Sequence, residues 1–254
     1  MNILVTNDDG IRAEGLSRLV ETLSKAADIY VCAPHTQRSS CGHGISIGIP
    51  IEAKEVEFDN AKIAFETTGT PVDCVKLGLK LLGERGVCID MVFSGINHGG
   101  NLGTDAFYSG TVSAAREGCL CKKPSVAVSV NSHFPTHFEL ACELALNILQ
   151  TAGGKLGNNT MLNVNAPDLP TSEVKGIKYA RLGIREYDET FKPLKTAGGV
   201  VQYTYTGNPV VYEGLSNEID VIAMQEGYAT ITPLHYDLTD YELLEEIKNW
   251  RIYV

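Results

Sequence analysis

The sequence predicts an α/β fold built around a doubly wound, mostly parallel sheet. Along the first 170 residues, short apolar segments alternate with stretches whose apolar residues recur at helical spacing. Strands separated by helices favour parallel pairing, because a parallel neighbour must be reached through a crossover connection. With 254 residues, 44% of them hydrophobic, the chain can bury one large core.

The elements of this core follow in chain order. Strands are predicted at residues 3–5, 29–32, 91–93, 126–130 and 161–164, and helices at 16–23, 72–82, from 111, and at 138–149. Between Ile45 and Thr67, apolar and polar residues alternate, and Gly48-Ile49-Pro50 interrupts the alternation. This stretch predicts a β-hairpin inserted after the second strand.

The pattern changes after residue 170, which predicts a core of residues 1–170 and an extension of residues 171–254. The extension has glycines, β-branched residues and scattered tyrosines, namely Tyr179, Tyr187, Tyr203, Tyr205 and Tyr212. This composition favours antiparallel β-structure. Residues 241–250 place apolar side chains at helical spacing and predict a closing helix.

The charge and cysteine content narrow the function classes. A net charge of −10 offers no basic surface for a phosphate backbone, so polymeric DNA or RNA is not an expected partner. None of the seven cysteines forms a C-x-x-C pair, which favours reduced thiols. We expect no membrane span and no signal peptide, since no basic start or long apolar run is present. The expected location is the cytoplasm.

Two adjacent carboxylates follow the first predicted strand. Asp8 and Asp9 precede Gly10, which permits a sharp turn. In a parallel sheet the ligand crevice lies beyond the carboxyl ends of the strands, so this pair is a candidate site. Their mutual repulsion is most simply offset by a cation, and hard oxygen ligands suit Mg²⁺ or Mn²⁺. A solvated turn or a helix N-cap pair is the alternative.

Two further loops reach the same edge of the predicted sheet. Residues 33–40 bring hydroxyls and a guanidinium, and the glycine-rich residues 94–103 precede a helix that opens at Ser109, Gly110 and Thr111. A glycine loop and a helix N-terminus can bind phosphate without a basic residue. The alternatives are a plain turn for the glycine loop and an N-cap role for Thr111. Together the three loops predict a metal-dependent phosphohydrolase.

Other chemistries are weighed against this one. Cys32 and Arg38 have the C-x5-R spacing of cysteine-dependent phosphatases, but no glycine lies between them and Pro34 removes one N–H donor. A non-catalytic metal- or nucleotide-binding regulator on the same fold is a second alternative. The loops also contain three histidines that could act as a general acid, namely His35, His43 and His98. We do not expect His133, His137 and His235 to converge with them.

A set of motifs, in order along nearly the whole chain, resembles one known family. The motifs are Asn-Asp-Asp-Gly at 7–10, Gly-Thr-Pro-Val-Asp-Cys-Val at 69–75, Ser-Gly-Ile-Asn at 94–97, Asn-Leu-Gly at 101–103, Tyr-Ser-Gly-Thr-Val at 108–112, Asn-Val-Asn-Ala-Pro at 163–167 and Ile-Thr-Pro-Leu at 231–234, with Asp-Leu-Thr at 237–239. On these motifs the chain resembles the SurE family, the stationary-phase survival-protein nucleotidases.

The resemblance implies a Rossmann-like core and hydrolysis of nucleoside 5′-monophosphates, with 3′-nucleotides or short polyphosphates as further substrates. It also implies one divalent cation, Mg²⁺ or Mn²⁺, and assembly into a homodimer or homotetramer through the extension. Carried over to this sequence, the metal ligands are Asp8, Asp9, Ser39 and Asn97. Asp8 and Asp9 are the expected catalytic residues, and Asp8 would act as base or nucleophile.

The expected substrate-binding residues are Asn97, Asn101, Ser109, Gly110 and Thr111. Three departures from the family pattern accompany this assignment, and none replaces a proposed metal ligand. They are Glu14 in place of proline, Ser40 in place of glycine, and the segment Cys-Gly-His-Gly at 41–44. The last departure concerns the substrate entrance.

Overall fold

A computed structural model of the protein describes residues 1–152, 154–188, 191–194, 198–211, 214–250 and 252. Its strands are β1 (Asn2–Thr6), β2 (Asp28–Pro34), β3 (Ala53–Val56), β4 (Ile63–Thr67), β5 (Met91–His98), β6 (Ser125–Val130), β7 (Thr160–Ala166), β8 (Ile177–Tyr179), β9 (Phe191–Leu194), β10 (Gln202–Tyr205) and β11 (Ala229–His235). Its α-helices are α1 (Glu14–Leu23), α2 (Pro71–Glu84), α3 (Gly110–Leu120), α4 (Glu139–Ala152), α5 (Asp220–Gln225) and α6 (Tyr241–Ile247).

Within the described residues, nine strands form the central sheet in the order β3-β4-β2-β1-β5-β6-β7-β11-β8. The strands from β4 to β7 in this order pair in parallel, while β3 and β11 run antiparallel to β4 and β7. The predicted doubly wound, mostly parallel and Rossmann-like sheet is therefore confirmed. Strand β1 lies between β2 and β5, which brings the loops after these three strands together.

The core lies on both faces of the sheet, because alternate side chains of a strand point to opposite sides. Ile3 and Val5 of β1 belong to one buried cluster with residues of α1 and α4. Leu4, between them, belongs to a second buried cluster with residues of α2 and α3. The site is thus built on a strand that is fully packed on both sides.

The predicted hairpin is present as β3 and β4, but it is not a separate insertion. Strand β4 pairs in parallel with β2, so the hairpin extends the edge of the main sheet. Strand β5 also runs further than the sequence indicated, to His98 instead of residue 93. The glycines there suggested a loop, but β5 keeps pairing with β6 through a register shift between Ser94 and Asn97.

The extension contributes to two separate sheets. Strands β8 and β11 join the central sheet, and β9 pairs with β10 in an antiparallel ribbon. A division at residue 170 stays a prediction, although strands from both sides of it share one sheet. The closing helix α6 ends at Ile247, three residues before the predicted end, and Tyr212 lies outside the described residues. In the described ranges, we find no helix whose length and apolar character would let it cross a membrane.

The contact between α1 and β5 predicts opposite effects of alanine at two glycines. A Cβ on Gly15 would lie 2.0 Å from the Ile96 carbonyl oxygen, whereas a Cβ on Gly83, near the end of α2, would meet nothing within 4 Å. We expect Gly15→Ala to lower the free energy of unfolding by about 1–3 kcal/mol. Gly83→Ala should raise it by roughly 0.5–1 kcal/mol. Urea denaturation of both variants checks this, and equal effects would contradict the packing described.

Candidate active site

The loops that follow β1 and β2 are joined to each other by backbone hydrogen bonds. The N–H of Ile11 donates to the Pro34 carbonyl at 2.8 Å, and the N–H of Arg38 donates to the Asp8 carbonyl at 2.7 Å. Ser39 is the next residue in the chain after Arg38. The main chain therefore brings the second loop against the carboxylate pair, as the sequence predicted.

Asp8 is a buried carboxylate, with 4% of its surface exposed. Burial raises the pKa of Asp8 to about 6, and the charge of Asp9 acts in the same direction, whereas the hydrogen bond from the Thr111 hydroxyl opposes the shift. A Cβ on Gly110 would lie 2.8 Å from Asp8 Oδ2. The start of α3 thus packs directly on the carboxylate, at a distance that only glycine permits.

Asp9 and Asn97 face the site from the ends of β1 and β5. Asp9 Oδ2 accepts the N–H of His98 at 3.1 Å, and Oδ1 accepts the Gln37 side-chain amide at 3.2 Å. Asn97 Nδ2 donates to the Gly99 carbonyl at 2.8 Å. Because the amide nitrogen is engaged in this way, Asn97 Oδ1 is the atom available as a ligand.

The donor set fits a hard divalent cation. Within the described ranges no Lys, Arg or His forms an ion pair with Asp8 or Asp9, and the Oδ1 atom of Asn7 is buried without a partner. Carboxylate and amide oxygens are ligands that Mg²⁺ and Mn²⁺ prefer. The described residues hold no group of three His, Cys, Asp or Glu suited to a metal. The amide of Asn97 and the hydroxyl of Ser39 would therefore have to complete the set.

The hydroxyls at the start of α3 have roles within the protein. Ser109 is the N-cap of α3 and its Oγ accepts the N–H of Val112 at 3.0 Å, so Thr111 is not the cap. The Thr111 hydroxyl instead donates to Asp8. The first N–H groups of a helix have no partner in a preceding turn and carry partial positive charge. An anion at this helix start would bind to N–H groups such as that of Gly110.

Asn101 is held by a group of polar side chains on β6 and β7. Its N–H donates to Asn165 Oδ1 and its side-chain amide donates to Ser129 Oγ, both at 2.8 Å. Asn163 donates to the Asn101 carbonyl at 2.8 Å. These contacts fix the glycine-rich loop but engage the Asn101 donors expected to bind phosphate, so a role of Asn101 toward phosphate stays a prediction.

The histidines are placed differently from one another. His43 Nε2 lies 2.9 Å from a carboxylate oxygen of Glu117, and His35 Nδ1 lies 3.1 Å from the Thr67 carbonyl. The ring of His98 packs 5.6 Å from that of Phe138, measured between centroids. His133 was not expected near the site, yet its ring lies 3.6 Å from where a Cβ of Gly99 would be. The loop after β6 brings it there, and no local sequence signal indicates this.

The cysteine-dependent alternative is wrong. Cys32 lies inside β2 with no exposed surface, and it packs in the core beside α2. The hydrogen bond with Cys74 and burial raise the pKa of the Cys32 thiol well above its usual value. Arg38 donates to the Thr68 carbonyl at 2.9 Å. A protonated, inaccessible thiol cannot attack phosphorus.

Comparison with known proteins shows the family of this chain. A family model described as Survival protein SurE matches residues 3–189. This chain belongs to the SurE family. The resemblance identified from the motifs is thereby confirmed.

Relatives of the chain match it over nearly its whole length. The 5′-nucleotidase SurE of Syntrophomonas wolfei is 43% identical over 251 residues, which cover 98% of this chain and 94% of the relative. That of Pelotomaculum thermopropionicum is 42% identical over 249 residues, with the same two coverages. The crystal structure of the SurE protein from Aquifex aeolicus is similar with a TM-score of 0.83 and 34% identity, covering 98% of each chain.

The raised pKa of Asp8 predicts how stability depends on pH in this SurE chain without metal. A carboxyl whose pKa rises from 3.8 to about 6 on folding stabilises the native state fully below pH 3.8, and this contribution is lost as pH rises through 6. Asp8→Asn replaces the buried charge with a neutral amide. In EDTA at pH 8, the free energy of unfolding of this variant should exceed that of wild type by about 2–3 kcal/mol. Urea denaturation from pH 4 to 8 measures the difference, which should shrink toward pH 4. A constant difference would contradict the assigned pKa.

Proposed function

We propose that this chain is a 5′-nucleotidase whose hydrolysis of nucleoside 5′-monophosphates depends on one divalent cation, Mg²⁺ or Mn²⁺. The proposal rests on one observation: the buried carboxylate of Asp8, which neighbours Asp9 in the chain, packs on the start of α3. A proposed cation site at Asp8 and Asp9 would then lie next to a proposed anion site at the start of α3, as phosphate-ester hydrolysis requires. The names of the curated relatives point to the same activity.

The metal would be held by Asp8, Asp9, Ser39 and Asn97. When bound there, it would supply charge neutralisation at the phosphoryl group and lower the pKa of a coordinated water. The chain itself would orient the ester. The Gly110 N–H would bind an equatorial oxygen, and the Ser109 cap fixes that helix start. The Thr111 N–H already hydrogen-bonds to Asp8, so a role of Thr111 toward phosphate stays a prediction. Asp8 would act as base toward water or as nucleophile, and the geometry is compatible with both.

The wider substrate range and assembly are part of the proposal. We expect 3′-nucleotides and short polyphosphates as further substrates, because the residues assigned to the proposed anion site would bind the phosphate group alone. We propose a homodimer or homotetramer in the cytoplasm. The β9–β10 ribbon supports self-association, since it exposes large apolar side chains, namely Phe191, Leu194, Tyr203 and Tyr205.

The mechanism predicts a specific pattern of inhibition. Purified protein with Mn²⁺ should release phosphate from AMP or GMP, and EDTA should abolish this release. Asp8→Asn should reduce kcat by at least about 10³-fold, because it removes a charged metal ligand. Cys32→Ala should leave activity within about twofold if the variant folds. Activity that survives EDTA and is lost on alkylation would overturn the metal mechanism.

A non-catalytic regulator on the same fold would bind Mn²⁺ or nucleotide without turnover. Absence of phosphate release from AMP, GMP and an aryl phosphate, with Mn²⁺ bound, would favour that alternative. Single-turnover trapping separates the two roles of Asp8. An aspartyl-phosphate identifies a nucleophile, and its absence throughout turnover identifies a base.

The contact of Gly110 with Asp8 predicts a second loss of activity. Gly110→Ala would place a methyl group 2.8 Å from the Asp8 carboxylate, so either the carboxylate or the start of α3 must shift. We expect kcat/KM for AMP to fall about 100-fold, the order of loss that a misplacement of about 1 Å causes. Gly83→Ala is the matched control and should keep wild-type kinetics. A Gly110→Ala enzyme with normal kinetics would contradict the proposed geometry.

A further inference from the structure

Glu117 is a buried carboxylate on α3 that the proposed mechanism does not use. Only 3% of its surface is exposed, and it lies two helical turns after Gly110. Lys76 of α2 contacts one of its oxygens at 2.7 Å, and His43 contacts the other at 2.9 Å. Burial alone would raise the pKa of Glu117, but the hydrogen bonds from His43 and Lys76 outweigh it and hold that pKa below its usual value.

His43 belongs to the segment that follows Ser39, which we call the entrance segment (residues 41–46). An ionised carboxylate only accepts hydrogen bonds, so His43 Nε2 must donate to Glu117. Beside it, the N–H of Gly42 donates to the Tyr108 carbonyl at 3.0 Å. Tyr108 directly precedes the Ser109 cap. The entrance segment is therefore attached both to the body of α3 and to the residue that precedes its N-cap.

The far end of the entrance segment is attached to α2. The Thr70 hydroxyl donates to the Gly44 carbonyl at 2.8 Å, and the Ser46 hydroxyl donates to Asp73 Oδ2 at 2.7 Å. Ser46 also donates its N–H to Asp73 Oδ1 at 3.1 Å. These bonds tie the segment to the capping box of α2 and leave the part next to Ser39 dependent on Gly42 and His43.

Ser39 thus lies between two attachments. Before it, the N–H of Arg38 is bonded to the Asp8 carbonyl. After it, the chain turns through two residues with positive φ, Ser40 at 56° and Gly42 at 53°, and reaches His43. Because only a few residues separate the two attachments, Ser39 keeps its position only while both attachments are intact.

We propose that the hydrogen bond between His43 and Glu117 is a positioning contact for hydrolysis: it holds the entrance segment on α3 and so restrains Ser39, which follows Arg38, the residue bonded to the Asp8 carbonyl. This inference rests on the proposed function, because Ser39 is a proposed metal ligand. It makes α3 the common support of the cation side and the anion side of the site. His43 is then a positioning residue and does not contact substrate.

Besides the Cys121 thiol, Glu117 has two partners, His43 and Lys76, which provide a matched test. His43→Ala removes the partner on the entrance segment, and Lys76→Met removes the partner on α2 with its length retained. His43→Gln keeps a donor near the Nε2 position and should restore the contact. His43→Phe keeps the ring volume without a donor and replaces His43→Ala if the smaller side chain prevents folding. Each variant is compared with wild type for Mn²⁺ activation of AMP hydrolysis and for thermal midpoint.

We expect His43→Ala to raise the Mn²⁺ activation constant about tenfold, an effect in keeping with a small displacement of one ligand. His43→Gln should return to within about threefold of wild type, and Lys76→Met should lower the thermal midpoint with the activation constant unchanged. The dissociation constants for Mn²⁺, measured by calorimetry, should rank the variants in the same order as the activation constants. In metal-free protein, the Gly42 amide should exchange hydrogen faster in His43→Ala only.

Three results would overturn the positioning role: an unchanged activation constant in His43→Ala, an equal rise in Lys76→Met, or no restoration by His43→Gln. Failure of the proposed function gives a different result. In that case wild type releases no phosphate with any metal, while calorimetric Mn²⁺ binding and amide exchange still decide whether His43 holds the segment.

Discussion

The contact between the buried Asp8 carboxylate and the first turn of α3 is the interaction on which the site depends. The Thr111 hydroxyl donates to this carboxylate, and Gly110 approaches it more closely than any residue with a side chain could. The loop after β1 and the start of α3 therefore form one side of the candidate site. Burial favours the uncharged form of Asp8. A metal ligand must be ionised, and an ionised Asp8 lowers the stability of the metal-free protein.

Residues far along the chain hold the glycine-rich loop that precedes α3. Asp220, at the start of α5, accepts the N–H groups of Gly103 and Gly183 at 2.8 Å each. Asn163 and Asn165 of β7 hold Asn101 in the same loop. These carboxylate and amide contacts hold the glycine-rich loop in its shape.

Helix α3 links the two halves of the proposed chemistry. Its first turn contacts Asp8, and Glu117 further along the helix binds His43 of the entrance segment. A buried carboxylate is costly unless it is paired, and here each oxygen has a cationic or hydrogen-bonding partner. The helix can therefore hold the loop after β2 through a buried carboxylate that is paired on both oxygens.

The sequence by itself determined the sheet type, the family and the position of the candidate loops, because helical and strand periodicity and short motifs are local properties. Only the tertiary structure decided which atoms are engaged. In the structure, Ser109 caps α3, the Thr111 hydroxyl donates to Asp8, Cys32 is buried, and β4 pairs with β2 in the central sheet. Each of these outcomes depends on a contact between residues distant in the chain, and local pattern does not contain that information.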